Sequence, residues 1–252
     1  MDSPIISIIT ITLNSQQFIE TTIQSVIKQN YTKIEYIIID GVSTDSTLDI
    51  IKKHSSQIDY FLSEPDNGIA DAMNKGLKVA KGDYILFLHS DDYLVDENAL
   101  ENASHFLDSD HDIFLFNIFY CDNGRKTLIK PRGLNCWINF KTGVLHQGTI
   151  CSRNLFKKIG DFDTRLKIAM DYDFFLRAYK NDIKSKIINF PLSVMRTTGI
   201  SFKKDWPSLN ERFSDERQVH KKNCDSLIKA IMYKMFWLLY PPYKYMVYRL
   251  CK

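Results

Sequence analysis

Residues 63–92 read SEPDNGIADAMNKGLKVAKGDYILFLHSDD. Glu64-Pro65-Asp66-Asn67-Gly68 is turn chemistry, because Pro fixes φ and Asn and Gly tolerate positive φ. Ile69 to Ala80 reads as a helix with Ile69, Ala72, Met73, Leu77 and Ala80 on one face, stopped by Gly82-Asp83. Tyr84 to Leu88 is a continuous apolar run whose length suits a buried strand. That strand opens onto His89-Ser90-Asp91-Asp92, at the carboxyl end where open α/β sheets place their ligands. Adjacent carboxylates repel unless a cation or hydrogen-bond donors hold them. Mg²⁺ and Mn²⁺ take carboxylate oxygen and share it with substrate phosphates. The competing reading is an N-cap for a helix from Asp96 onward; the buried strand before the pair favours the metal.

Working back from this stretch, Ile5–Leu13 is β-branched almost throughout and reads as a buried first strand ending at Thr12-Leu13-Asn14. Phe18, Ile19, Ile23, Val26 and Ile27 give a helical face. Ile34–Ile39 is a second buried strand, followed by Asp40-Gly41-Val42-Ser43-Thr44-Asp45-Ser46-Thr47, a helix to about His54, and a third strand over Asp59–Leu62. Strand and helix in alternation imply a parallel sheet. Asp40 stands where a carboxylate accepts a base or ribose proton in nucleotide folds. Asp45 suits a cap for the following helix, and Asn14 is read equally as a ligand contact or a turn residue. There is no G-x-x-x-x-G-K and no G-x-G-x-x-G, so neither a P-loop enzyme nor a dinucleotide enzyme is favoured.

The motifs Glu64-Pro65-Asp66-Asn67-Gly68-Ile69-Ala70-Asp71-Ala72-Met73-Asn74-Lys75-Gly76, Gly82-Asp83 and Ser90-Asp91-Asp92 together resemble the family 2 glycosyltransferases. The resemblance covers about residues 4–202. It implies a GT-A fold: a Rossmann-like α/β/α sandwich on a mostly parallel sheet, here with a C-terminal helical tail. It also implies an inverting transfer from a nucleotide sugar, with UDP-sugar the expected donor and Mn²⁺ or Mg²⁺ the cofactor. By position in the motifs, Asp92 falls on the metal ligand. Thr12, Asn14, Asp40, Asp71, Lys75 and Asp91 fall on nucleotide-sugar contacts. Read from the residues alone, Lys75 is more often a solvated helix lysine. The chain departs from the family pattern at His89, where relatives carry Asp, and at Met73, where many carry Arg.

In the second half, a helix is expected over Asp96–Leu107, a strand over Ile113–Tyr120, and a hairpin turn at Asp122-Asn123-Gly124-Arg125. Residues 131–150 are poorly periodic. His146 and Gln147 resemble a recurrent family segment that contacts acceptor or phosphate, although a lone His is more often structural. Asp171 opens a helix with Phe174, Phe175 and Ala178 on its face, and the bland reading is again an N-cap. By resemblance Asp171 falls on the catalytic base, Met170 on a Glu of the family, and Arg177 on its Arg, an acceptor or phosphate contact. Ile183–Phe190 reads as an edge strand. The run from Arg196 to Ser201 resembles a loop that closes over the donor, which brings Ser201 to the site.

Residues 1–204 are expected to form the catalytic domain, with 1–121 binding the nucleotide sugar and 122–204 the acceptor. Residues 205–252 form the tail: a charged surface helix over 205–223, then an apolar segment over 226–252 that Pro241-Pro242 divides into two pieces. Trp and Tyr interspersed with Lys and Arg suit a membrane interface; a helix packed on the domain or a homodimer contact fits equally. No apolar run reaches the ~20 residues of a spanning helix, and no secretory signal is visible. The five Cys are scattered without CxxC spacing, which fits a reducing compartment. Net charge +3, with 44% hydrophobic and 25% charged residues, describes a globular chain and argues for no nucleic-acid partner. The expected setting is the cytoplasmic face of the cell membrane, with a saccharide or lipid-linked saccharide as acceptor in the making of a bacterial surface polysaccharide. Two other classes compete. A sugar nucleotidyltransferase would carry a Gly-rich basic loop after the first strand, which Asn14-Ser15-Gln16-Gln17 is not. An inactive binding subunit would explain His89, Met73 and Met170.

Overall fold

Seven consecutive buried residues make β1 (Ile6–Thr12) a central strand. The computed structural model describes residues 3–199 and 205–250. β1 lies between β2 (Ile34–Asp40) and β4 (Tyr84–Phe87), parallel to both, and β3 (Tyr60–Ser63) extends the sheet beyond β2. Helices α1 (Ile19–Ile27), α2 (Thr47–Lys53) and α3 (Ile69–Val79) make the connections. α3 approaches the sheet closely: a Cβ on Gly76 would stand 2.4 Å from Ile9 Cγ2. The strand–helix alternation read from the sequence is therefore present.

Past β4 the sheet is mixed in direction. β8 (Thr149–Ser152) lies antiparallel between β4 and β6 (Ile113–Asp122), and β9 (Ser185–Arg196) runs parallel to β6. β5 (Tyr93–Leu94) pairs with the end of β9, and β7 (Arg125–Ile129) forms a hairpin with β6. β1 to β4, β6 and β9 share one direction, so the sheet is mostly parallel. Successive residues of a strand face opposite sides. Ile9, Phe87 and Leu115 thus enter one apolar layer, with α3, α5 (Arg153–Ile159) and α6 (Met170–Lys180). Ile8, Leu86 and Phe114 enter the other, with α1 and α4 (Ala99–Ser104). Met73 and Met170 are core residues of the first layer, which accounts for apolar side chains at both positions.

Four expectations are corrected. The strand expected to end at Phe190 continues through Pro191, which faces Asn117 at a register shift where regular pairing is already interrupted. Its far end is not an edge, because Ser193 and Val194 pair with β5. α4 is shorter than residues 96–107. α7 (Trp206–Lys222) is not a surface helix all round; one face buries Phe213, Asp215, Glu216, Val219 and His220.

The fourth correction concerns α8 (Leu227–Leu250), which passes through Pro241-Pro242 without ending. Two prolines remove two helix hydrogen bonds, but packing holds both halves of α8 on α7. Trp237 and Tyr240 lie against Phe213, while Tyr245 and Tyr248 lie against Trp206. His220 of α7 stacks on Tyr233, with ring centroids 4.2 Å apart. Its Nδ1 accepts the Trp237 indole N–H at 2.8 Å, which leaves the ring proton on Nε2, facing the Tyr172 hydroxyl.

Candidate active site

All six strands that run in the common direction end at one edge of the sheet, and most of the expected site residues gather there. β4 delivers His89-Ser90-Asp91-Asp92. The Thr22 hydroxyl of α1 stands 2.8 Å from the Ser90 carbonyl and 2.6 Å from the Asp92 carbonyl, pinning the backbone between them. The Ser15 and Ser90 hydroxyls meet at 2.8 Å. The end of β9 returns to the same place. The Arg196 backbone N–H donates to Asp92 Oδ1 at 3.2 Å, and its guanidinium donates to the Asp91 carbonyl. That guanidinium lies between the rings of Phe18 and Tyr93. The Thr198 hydroxyl donates to Asp91 Oδ2 at 3.2 Å. Ser201 lies outside the described residues.

Asp92 is 1% exposed. Burial, and then the neighbouring Asp91 charge, push its carboxyl well above the usual carboxylate range; the Arg196 N–H and the Gln147 amide act in the opposite direction. This is a carboxyl in need of positive charge. Among the described residues no group of three His, Cys, Asp or Glu side chains converges. Two adjacent carboxylates at a strand end still fit Mg²⁺ or Mn²⁺, which bind through one or two carboxylates and substrate phosphates rather than in an all-protein cage.

Across from the pair stands Asp171, in the first turn of α6. Its carboxylate does not cap the helix; Ala169 occupies that position. Oδ2 lies 3.6 Å from His146 Nδ1. Tyr120, near the end of β6, is pushed up by burial and then by the charges of Asp171 and Asp92, so its phenol feels both carboxylates. His146 packs on His89, with ring centroids 4.4 Å apart. Burial, and then His146, hold His89 well below its ordinary value, so its ring is neutral. Gly148 seats this segment: a Cβ there would lie 2.4 Å from Ile118 Cγ2. Among the described residues, His89 Nε2, both His146 ring nitrogens, Gln147 Oε1 and Thr12 Oγ1 are buried with no hydrogen-bond partner. Unmatched buried polar atoms are costly; five of them here mark a surface built to meet a polar ligand.

Several expected contacts have other tasks. Asp40 is fully buried, and its carboxylate accepts from Ser43 N–H at 2.9 Å, from the Ser43 hydroxyl, and from the Ser63 hydroxyl at 2.7 Å. These bonds make it part of the wall of the site. Asn14, at φ 50°, shapes the turn after β1, and its Oδ1 accepts from Thr44 N–H at 2.8 Å. Lys75 is not a solvated lysine: it pairs with Glu64 at 2.9 Å and Asp71 at 3.6 Å, and donates to the Pro65 carbonyl. Asp71 also accepts from Asn67 N–H at 2.9 Å. Lys75 and Asp71 thus tie α3 to the Glu64–Gly68 turn.

Arg177 is the clearest displacement. Its guanidinium donates to Asp173 and to the carbonyls of Ile159, Gly160 and Asp161, so it fastens α5 to α6. Asp173 is fully buried against Arg177, Lys222 and Asn223, pointing away from Asp171.

One residue of this region gave no signal in the sequence. Asp215 of α7 accepts from the backbone N–H groups of Lys167 and Ile168, both at 2.7 Å, and of Ala169 at 3.3 Å. It therefore sets the entry to α6, and with it the place of Asp171. Asp215→Ala is expected to take the partner from three backbone N–H groups, of which that of Ala169 is buried, costing about 1–3 kcal/mol in stability. The turnover number should fall while donor affinity holds; urea unfolding and a KM-against-kcat comparison check the two effects.

The family model described as glycosyl transferase family 2 matches residues 7–185. The chain is 29% identical over 191 residues to the PGL/p-HBAD biosynthesis glycosyltransferase of Mycobacterium bovis (strain BCG / Pasteur 1173P2), covering 72% of each. Over 119 residues it is 40% identical to the UDP-Glc:alpha-D-GlcNAc-diphosphoundecaprenol beta-1,3-glucosyltransferase WfaP of Escherichia coli, covering 47% of each. The crystal structure of S. aureus TarS 1-349 in complex with UDP-GlcNAc is similar with a TM-score of 0.64 at 26% identity, covering 77% of this chain and 59% of that one.

Proposed function

Because the chain belongs to glycosyl transferase family 2 and has its GT-A type of α/β fold, we propose that it moves a sugar from a UDP-sugar to a hydroxyl of a lipid-linked saccharide, with inversion at the anomeric carbon. The observation that carries this reading is the opposition at one sheet edge of two carboxyl groups in different settings. Asp92 is buried beside Asp91 under the Arg196–Thr198 loop, and Asp171 stands partly open beside His146 and Tyr120. One setting suits a charged diphosphate, the other a hydroxyl that must lose its proton. The donor class is supported by TarS, solved with UDP-GlcNAc, and by WfaP, whose name states a UDP-glucose donor and a diphosphoundecaprenol-linked acceptor.

In this reading Asp92 and Asp91 hold Mn²⁺ or Mg²⁺ with the donor's phosphates. A divalent ion bound there supplies positive charge where the leaving diphosphate gathers negative charge. Arg196 and Thr198 hold the Asp91 backbone and carboxylate in place, and Thr22 fixes the turn from below. Asp171 takes the proton of the acceptor hydroxyl as the new C–O bond forms at the anomeric carbon. The bond to the UDP oxygen breaks on the opposite face. His146 and Tyr120 border the carboxylate and confine the direction from which that hydroxyl reaches it.

Release of nucleoside diphosphate from UDP-, GDP- and dTDP-sugars, measured with Mn²⁺ and the full chain, tests the reading. UDP release from one UDP-sugar is expected to exceed the others by at least ~10-fold, because the buried polar atoms of a site reject analogues that leave them unpaired. A GDP- or dTDP-sugar preference would overturn the donor assignment. No turnover with any donor would overturn the transferase reading itself.

A further inference from the structure

α8 has two faces of different character. Tyr233, Phe236, Trp237 and Tyr240 point inward, onto α7 and onto Phe140. On the other side Ile228, Ile231, Met235, Leu238 and Met246 are each more than half exposed. At roughly 100° per residue these five fall on one stripe that runs the length of the helix. Twenty-four residues at 1.5 Å each give a stripe about 36 Å long. Exposed apolar area on this scale marks an interaction surface.

The charges narrow the partner. Lys229 and Lys234 lie roughly 100–120° to either side of Ile228 on the helix circumference, flanking the stripe. Arg249 follows, Lys229 pairs with Asp225 at 2.9 Å, Lys244 turns to the inner side over Tyr240, and the sequence contains no Asp or Glu after Asp225. A basic rim along an apolar stripe matches an anionic lipid surface. Among the described residues no helix is long and apolar enough to cross a membrane, so the fitting mode is a helix lying in the plane of the interface.

We propose that the outward face of α8 is a docking surface for an anionic lipid bilayer. It lies beside the acceptor half of the site, because Phe140 and Lys141 pack on α8 shortly before the chain reaches His146. The surface is read from exposure and charge and does not depend on the transferase reading; only its bearing on a lipid-linked acceptor does.

The test is co-sedimentation of the full chain with vesicles of phosphatidylglycerol and phosphatidylcholine, compared with pure phosphatidylcholine. The intact protein is expected to favour the anionic vesicles and to release as salt is raised. Ile231→Glu with Leu238→Glu should lower vesicle binding at least ~10-fold. Both side chains are exposed, so melting temperature and UDP binding should stay unchanged, and a failure of the donor reading would leave the vesicle result intact. Equal partitioning of intact and substituted chains would overturn the proposal. So would an intact chain that ignores vesicles and sediments as a dimer that the same substitutions split, since the stripe would then be a self-interface.

Discussion

Asp92→Asn is expected to lower transfer by at least ~10²–10³-fold, the scale of removing one pre-set electrostatic contact to a transition-state charge. Mn²⁺-dependent UDP binding, read by calorimetry, should vanish with it. The fold should not suffer. Asn keeps an oxygen for the Arg196 N–H, and the substitution removes a carboxyl whose ionisation the site resists. The sign follows from linkage. The folded-state pKa of Asp92 is raised above the unfolded value of about 3.9. The native state is therefore favoured below that value and loses stability as pH rises through the folded pKa. Asn does not titrate, so without metal the melting temperature of Asp92→Asn should equal that of the parent near pH 4 and exceed it at neutral pH. Activity retained in EDTA, or a melting temperature lowered at neutral pH, would remove Asp92 from the metal role.

Asp171→Asn is the second large effect. A general base contributes about 10²–10⁴-fold, so transfer should fall by at least ~10²-fold while donor affinity stays within a few-fold. Among the described residues the Asp171 carboxylate meets His146 and the Tyr172 N–H and no hydrogen bond ties it to the Asp pair, which is why donor binding should survive. Asp173 cannot take over: it is fully buried and bonded to Arg177, Lys222 and Asn223. The product from an α-linked donor should be β-linked, because one displacement inverts the centre. Near-normal rates in the variant, or a retained anomer seen by NMR of the product, would each exclude Asp171 as the base.

The first half of the fold was legible because β1, β2 and β4 are buried on both faces and so read as unbroken apolar runs. Ile34–Ile39 and Tyr84–Leu88 are found within a residue of their expected ends. The second half was less so. Pro191 normally ends a strand, and only the register shift against Asn117, a tertiary fact, lets β9 continue. The aromatic contacts that carry α8 through Pro241-Pro242 are likewise invisible to local pattern. Within the site, the Asp pair and Asp171 came from position in a motif. Motif position misled at Arg177, although its i,i+4 spacing from Asp173 is the ordinary signal of a helix ion pair. His89 read as a missing carboxylate; its stacking on His146 depends on two segments far apart in sequence. Asp215 lies beyond the region that resembles the family and looks like one more charge on a polar helix.

That last residue bears on how the enzyme can be varied. Asp215 grips the chain at Lys167, Ile168 and Ala169 by amide hydrogens, which every amino acid except proline provides. The hold is indifferent to side-chain identity. Lys167 is exposed and Ile168 partly so, while Ala169 is buried and leaves little space. A saturation library at 167 and 168 would thus vary the segment leading to Asp171 without disturbing its footing, and proline would be the substitution that selection strips out. Side chains can drift there while the start of α6 stays anchored from α7.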